Sequence, residues 1–367
     1  MMNSIRYISK WLASSLALCT LLLMTSCQKD AADDTFKASE GIPLKLTSVT
    51  RAGTETTRVE SGTIKMFVMA PDEQYSQGSY NYNGGWKNNG VYAMENTQYY
   101  LYGYMPGDKY NGSVSKPAGK DYAAGADLTL TGLPLLTTED ICVLVGVQRF
   151  ASVAPESPAN EGSYSYLSGL AEENNVNMLM DHLYCQLRLK FNIGKEYYEM
   201  RRIHLKSVKL KATYDDNVTA TIQLRDKYGL ASHVTYSAPT ANPTPLEFDM
   251  LKANDTELST LGFVDLPSEE STPFTINRTV LCPHCLFNDG AGAYLSVECT
   301  YDVYDTDTYD STNPDHHRMR KDCKATNKIN ITGMGPGTFR TLTLTIAPTY
   351  LYVLGDDDAN NPPIVIN

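Results

Sequence analysis

"LYCQLRLKFNI", residues 183–193, decides the fold class. Leu183, Cys185, Leu187, Leu189, Phe191 and Ile193 fall on one parity, while Tyr184, Gln186, Arg188, Lys190 and Asn192 fall on the other. An α-helix repeats every 3.6 residues and would scatter these apolar positions around its circumference. An extended strand puts alternate side chains on opposite faces, so the pattern predicts a half-buried β-strand. "YLSVECTYDV" repeats it with Leu295, Val297, Cys299, Tyr301 and Val303, and "QYYLYGYMP" does so with Tyr100, Tyr102 and Tyr104 before Pro106. "TIKMFVM", "ICVLVGV", "TATIQL" and "RTLTLTI" are rich in β-branched residues and bounded by Gly, Pro, Asn or Asp. Helical spacing is confined to short pieces near "YLSGLAEENN" and "DMLKANDTEL". Many short strands separated by turn signals predict antiparallel β-sandwiches. The tract "SVAPESPANEGS", 152–163, reads as a loop or linker and puts a domain boundary near residue 175.

The chain has 367 residues with 31 Lys and Arg against 42 Asp and Glu, a net charge of −11. No basic cluster supplies the local charge that phosphate-backbone binding requires, so nucleic acid is not an expected partner. The chain beyond Arg51 is long enough for two medium domains.

The front end reads as an export signal. Arg6 and Lys10 precede the apolar run "WLASSLALCTLLLM", 11–24, which suits a signal-peptide core and is too short to span a bilayer. "MTSC" then resembles a bacterial lipobox, with Met24 where Leu is usual. That resemblance implies removal of residues 1–26 and acylation of Cys27, which would hold the chain on the outer membrane without a transmembrane helix. The alternative is an ordinary secretory signal with a chance cysteine. "QKDAADD" after Cys27 is either a solvated tether or similar to the acidic signal that sends lipoproteins of anaerobic gut and oral bacteria to the cell surface.

Taken in order, the lipobox, the short strand "IPLKLTSVTR" ending in "TRA", "YYLYGYMP", "MDHLYCQLRLKFNI" and the closing "LTLTIAPTYLYVLGDDDANNPPIVIN" resemble the fimbrillin family. These are the type V pilus subunits and related adhesin lipoproteins of anaerobic bacteria. Tyr100 to Pro106 match the family's aromatic strand. His182, Leu183, Leu187 and Leu189 loosely follow its F-x-H-x-L-x-x-L-x-F strand, where Met180 stands in place of the expected Phe. The resemblance implies two transthyretin-like β-sandwich domains, at 52–174 and 175–367, behind a tether and propeptide strand at 27–51. It also implies that an Arg-specific protease cuts between Arg51 and Ala52, with Arg58 as a second site. Loss of the propeptide strand would leave a groove, which the C-terminal segment of another subunit fills. Removing an edge strand leaves unpaired backbone groups and an apolar slot, a template for another chain. Leu44 and Leu46 would be the plugs removed. Ile364 and Ile366 in the 355–367 tail, or Tyr350 and Tyr352, would be the replacements. The other reading of Arg51 is a solvated turn residue.

Enzymatic signals are isolated. "LCPHCL" carries the spacing of a disulfide oxidase at Cys282 and Cys285, but that chemistry needs a helix after the first thiol, and "LFNDGAGAY" comes next. Cys282, Cys285, Cys299 and Cys323 could be zinc ligands, yet the second pair lacks the short-loop spacing. "YDTDTYD" lacks the glycine and glutamate of a calcium loop. No nucleophile elbow or phosphate loop is present, so neither a catalytic residue, a metal nor a cofactor is expected. Six cysteines remain beyond Cys19 and Cys27. The midpoint of Cys299 and Cys323 falls at residue 311, inside the turn-like "YDSTNPD". A hairpin around it would set the two face to face as a disulfide, the alternative being two buried thiols. The functions compatible with these signals are a stalk or tip-adhesin fimbrial subunit, an anchor subunit kept by its lipid, and a monomeric lipoprotein that binds glycans through its tyrosines.

Overall fold

The computed structural model describes residues 41–51, 57–148, 168–170, 175–214, 217–225, 233–237, 241–287, 295–306, 312, 318–329 and 333–346. Residues 1–40, Ala52, the 152–163 tract and the 355–367 tail lie outside them. The fold is an all-β sandwich. Its one α-helix among the described residues is the four-residue Lys195–Tyr198. "DMLKANDTEL" is the end of strand Ala241–Leu251 followed by turns.

Strand Cys185–Ile193 buries Cys185, Leu187, Leu189, Phe191 and Ile193 completely, and Leu183 just before it is equally enclosed. Its flanks are satisfied by Val280–Cys282 and Phe274–Thr275, both antiparallel, and by Phe339–Ile346, which runs parallel to it from Gln186↔Phe339 to Ile193↔Ile346. Facing this sheet is a five-stranded one built on Arg201–Tyr214, with Ala241–Leu251 on one side and Leu295–Asp305 then Arg318–Ile329 on the other. The inward parity of Arg201–Tyr214 switches from Ile203 and Leu205 to Val208, Leu210 and Ala212. A register shift between Leu205 and Ser207 accounts for it, because one extra residue turns every later side chain to the other face.

The N-terminal sheet has nine strands. Its order is Thr57–Arg58, Lys45–Arg51, Asn175–His182, Cys142–Gln148, Gln98–Met105, Thr63–Met69, Gln74–Tyr82 and Trp86–Asn89, with Ser168–Leu170 added beside Gln98–Met105. Gln98–Met105 lies in the middle and is buried on both faces. Tyr102 and Tyr104 pack toward a four-stranded sheet of Asn111–Ser115, Ala126–Pro134, Asn217–Leu224 and Val234–Tyr236, whereas Tyr99, Leu101 and Met105 line a second cluster. Tyrosine suits such positions because its ring fills apolar space while its hydroxyl finds a carbonyl. Tyr102 donates to Tyr122 O at 3.0 Å and Tyr104 to Tyr110 O at 2.7 Å.

The boundary expected at 174–175 falls inside this arrangement. Asn175–His182 completes the N-terminal sheet, and the chain leaves it at Leu183–Tyr184. Asn217–Leu224 and Val234–Tyr236, from beyond that boundary, extend a sheet begun by Ala126–Pro134. The linker-like tract at 152–163 thus precedes the last strand of the N-terminal sheet instead of marking its end.

The register does not bring Cys299 and Cys323 face to face: Cys299 stands opposite Ala325 and Cys323 opposite Tyr301. Near the hairpin tip the register is the expected one, Tyr304↔Arg318, but shifts at Val303/Tyr304 and Tyr301/Val303 displace the strands before the cysteines are reached. The second bulge holds Asp322 at φ 53, a left-handed conformation that Asp tolerates better than most residues. Buried Asp302 fixes it by accepting the Asp322 N–H at 2.7 Å and Lys206 Nζ at 3.3 Å, and by an ion pair with Arg318 Nε at 3.3 Å.

Because Leu187 is enclosed on a strand paired on both sides, Leu187→Asp is expected to lower unfolding stability by more than about 4 kcal/mol, combining lost packing with an unpaired buried charge. Lys190→Gln, on the opposite parity, should leave the urea midpoint nearly unchanged. Similar midpoints for the two variants would contradict the assigned faces.

Candidate functional site

The strand Lys45–Arg51 is seated in the N-terminal sheet and closes its second core. Its local sequence allows this. Gly41 adopts φ +97, and a Cβ there would stand 2.6 Å from Ala93 O, so glycine lets the chain enter beside Tyr92–Ala93, to which Ile42–Pro43 pairs. Leu44 and Val49 are fully buried and Leu46 nearly so, packed in one cluster with Ile64, Met66, Val68, Leu101, Val176, Met178 and Met180. The sheet curls enough for its far strands to reach the entering chain. Leu44 O accepts from Tyr80 Oη and Asn88 Nδ2, both at 2.8 Å, and Leu44 N donates to Val91 O at 3.0 Å.

The two sides of this strand are unequal. On one, it runs parallel to Asn175–His182 from Lys45↔Asn175 to Arg51↔Met180, reinforced by Ser48 Oγ donating to Asn177 Oδ1 at 2.7 Å. On the other, its ladder among the described residues is the two-residue strand Thr57–Arg58, joined by Val59 N donating to Val49 O at 2.9 Å. It is a nearly external strand whose apolar side chains are core. Each of the three buried ones contributes roughly 1.5–3 kcal/mol of gross burial.

At its end Arg51 enters a polar cluster. Arg51 Nη1 donates to Asp140 Oδ2 at 2.8 Å, and His182 Nδ1 meets Asp140 Oδ1 at 2.7 Å. Cys142 Sγ lies 3.7 Å from the same His182 nitrogen, and the His182 N–H donates to Asp181 Oδ1 at 2.8 Å. Cys142 and His182 are brought together because they are register partners on adjacent strands. Burial alone would raise the Asp140 carboxyl, but the hydrogen bond and charge of His182, with Arg51, outweigh it and hold it below its usual range. The hydrogen bond to Asp140 lifts His182 above its ordinary 6.5 against the opposing effect of burial. Burial, then the Asp140 charge, pushes the Cys142 thiol well up.

This constellation is a structural clamp. A Cys–His–Asp relay needs the base to use one ring nitrogen for the nucleophile and the other for the carboxylate. Here both contacts are at Nδ1, and the thiol is enclosed and protonated. The ligand atoms of Asp140, Cys142 and His182 lie within 4.8 Å of one another, the spacing of a metal site, but both Asp140 oxygens are engaged by Arg51 and His182. The cluster thus joins the last residue of the terminal strand to two inner strands.

Of the residues singled out from the sequence, Arg51, Leu44, Leu46 and His182 come together here. Cys27, Ala52, Tyr350, Tyr352, Ile364 and Ile366 lie outside the described residues. Arg58 is on the flanking short strand, in an exposed ion pair with Glu60. Asp140 and Cys142 gave no sequence signal, since nothing in "EDIC" names a partner forty residues on. "CPHC" spans the end of strand Val280–Cys282 and a single 3-10 turn, His284–Leu286. Burial pushes Cys285 up to about 12, and the hydrogen bond to Cys185 together with burial raises Cys282, opposite to the activation an oxidase thiol needs. The four thiols considered for zinc are divided between sheets, Cys282 pairing beside Cys185 and Cys299 beside Ala325.

No protein-family model matches the chain, and no curated protein matches it by sequence. Solved structures do match. A fimbrial protein from Bacteroides vulgatus superposes with a TM-score of 0.50 at 14% identity, over 89% of this chain and 98% of that one. A second fimbrial protein, from Bacteroides ovatus, gives 0.31 at 11% identity over 87% of this chain and 55% of its own. A protein described provisionally as a cell adhesion protein, also from Bacteroides ovatus, gives 0.39 at 13% identity over 89% and 95%. The first likeness shows a shared fold over most of both chains, and it is all-β, as the strand pattern predicted.

The clamp makes the seating of the terminal strand depend on pH. His182, raised above 6.5, contributes fully below pH 6.5 and loses its contribution as pH rises through its raised value. Asp140, lowered from 3.8, contributes above that value and fades as pH falls through its lowered one. The grip is therefore fullest between about pH 4 and 6.5. The gap in Tm between wild type and His182→Gln should be widest there and narrow above neutrality. His204, which burial lowers to about 4, and His284 titrate in both proteins and cancel in the difference. A gap independent of pH would remove His182 from the clamp.

Proposed function

We propose that this chain is a subunit of a cell-surface fimbria, in a stalk or tip-adhesin role, and that strand Lys45–Arg51 is a removable placeholder. The observation that carries the reading is the combination at that strand. It is bonded fully on one side only, fills an apolar slot with Leu44, Leu46 and Val49, and ends on an arginine. Its loss would leave one edge of Asn175–His182 with unpaired backbone groups above an exposed apolar floor. A strand from another chain could satisfy both at once, with main-chain hydrogen bonds for affinity and alternate side chains for register.

In this reading the chain is exported as a lipoprotein, acylated on Cys27 and held at the outer membrane until an Arg-specific protease cuts between Arg51 and Ala52. The C-terminal segment of another subunit, 355–367 or the stretch around Tyr350 and Tyr352, then takes the vacated place. Arg51 is only a quarter exposed and is tied to Asp140, so cleavage requires the end of the strand to open first. The likeness to a fimbrial protein over 89% of the chain supports the same reading. Glycan binding by tyrosine stacking is less well supported, because Tyr80, Tyr99, Tyr102, Tyr104 and Tyr184 are enclosed in the cores.

N-terminal sequencing of assembled material from the cell surface should begin at Ala52, and Arg51→Gln should leave unassembled, lipid-bearing precursor. Assembled filaments that retain lipidated Cys27 would overturn the placeholder role and favour an anchor subunit. A start after Arg58 would move the cut to the neighbouring short strand.

A further inference from the structure

We propose that Cys185 and Cys282 form a disulfide in the exported protein. The two residues are direct register partners on antiparallel strands, their sulfurs are 3.8 Å apart, and the Cys185 thiol donates to Cys282 O at 3.0 Å. Opposed Cβ atoms in such a pair stand roughly 4.5–5.5 Å apart, and a disulfide needs about 3.5–4.5 Å with the sulfurs near 2.05 Å. Side-chain rotation and a slight approach of the strands suffice. No other thiol pair among the described cysteines combines direct opposition with sulfur contact. Both side chains are fully buried, and Cys285 lies one short turn later, half-buried.

Burial sets the chemistry. Thiolate is the attacking species, and Cys282, enclosed and with its pKa raised by the hydrogen bond to Cys185 and by burial, yields little of it once folded. The bond therefore forms while the sheet is still assembling, against an oxidant of the disulfide class, either a dithiol oxidase in its disulfide form or a small-molecule disulfide. One cysteine thiolate attacks the incoming disulfide, making a mixed disulfide and releasing one thiol. The other cysteine then attacks the mixed disulfide, forms the Cys185–Cys282 bond and releases the second thiol. The two electrons go to the oxidant's sulfurs and the two protons leave the cysteines. The closed core then shields the bond from exchange.

Its position gives it a role. Leu281, next to Cys282, exchanges both backbone hydrogen bonds with Thr137 of the N-terminal half, at 2.7 and 3.0 Å, and Leu183 N donates to Ile141 O at 2.8 Å. The crosslink would pin the joint at which the chain passes from one sandwich to the other, across a sequence separation of 97 residues.

The inference rests on the export reading only for its oxidant, and the test separates the two. Full-length protein is recovered from cells lysed into denaturant that contains iodoacetamide and no reductant, and is mapped by mass spectrometry. Expected is a linked peptide joining Cys185 and Cys282, retained in Cys285→Ser, with Cys299 and Cys323 alkylated. Reduction should lower Tm by roughly 5–10 °C. Alkylation of Cys185 and Cys282 in protein that carries lipid on Cys27 would overturn the proposal, as would a link that disappears in Cys285→Ser. If Cys27 carries no lipid and the thiols are free, the lipoprotein reading fails. Refolding the reduced protein with oxidised glutathione then decides the crosslink: a Cys185–Cys282 bond sustains it, and its absence overturns it.

Discussion

One continuous segment, Asn175 to Ile193, organises the molecule, because strands from near both ends of the described chain are bonded to it. Lys45–Arg51 runs parallel to its first half and Phe339–Ile346 parallel to its second. Parallel pairs cannot be made by tight hairpins and need long crossovers, so the intervening chain must travel out and return to the same line. The antiparallel sheets on either side are built from those excursions. Leu183 and Tyr184, between the two halves, are both enclosed, and Tyr184 Oη donates to Pro134 O at 2.7 Å, so the crossing point is fixed by packing as well as by the chain.

What the sequence disclosed divides along physical lines. The parity of Cys185–Ile193 and of Leu295–Asp305 was legible, since one face of each meets a core and the pleat transmits that directly to the pattern of residues. The tyrosine strand Gln98–Met105 was legible as a strand, but its central place was not. The expected hairpin of Cys299 and Cys323 was sound at its tip and wrong at the cysteines. Two bulges intervene, and the groups that set one of them, Asp302, Lys206 and Arg318, are distant in sequence. Parallel partners leave no local trace at all. For the same reason Asp140 could not be connected to Arg51 or His182 before the strands were seen side by side.

The polar clamp and the apolar plug act on the terminal strand in different ways. Leu44, Leu46 and Val49 supply affinity that depends on water exclusion and changes little with pH. Arg51, Asp140 and His182 supply a charged fastening at one end, one-quarter open to solvent, which salt and proton activity can weaken. A strand held by both can loosen at its arginine end while its leucines stay buried. That is the order of events that a cut beside Arg51 needs.

The parallel pairing of Cys185–Ile193 with Phe339–Ile346 also decides how the second sandwich carries force. A pull entering at Cys185 and leaving at Ile346 acts on opposite ends of the two strands, along their length. The rungs between Gln186↔Phe339 and Ile193↔Ile346 would then be strained together, in shear. In an antiparallel hairpin the same pull would meet the rungs at one end and open them one after another, like a zip. Two strands laid out in this way resist extension by the sum of their rungs.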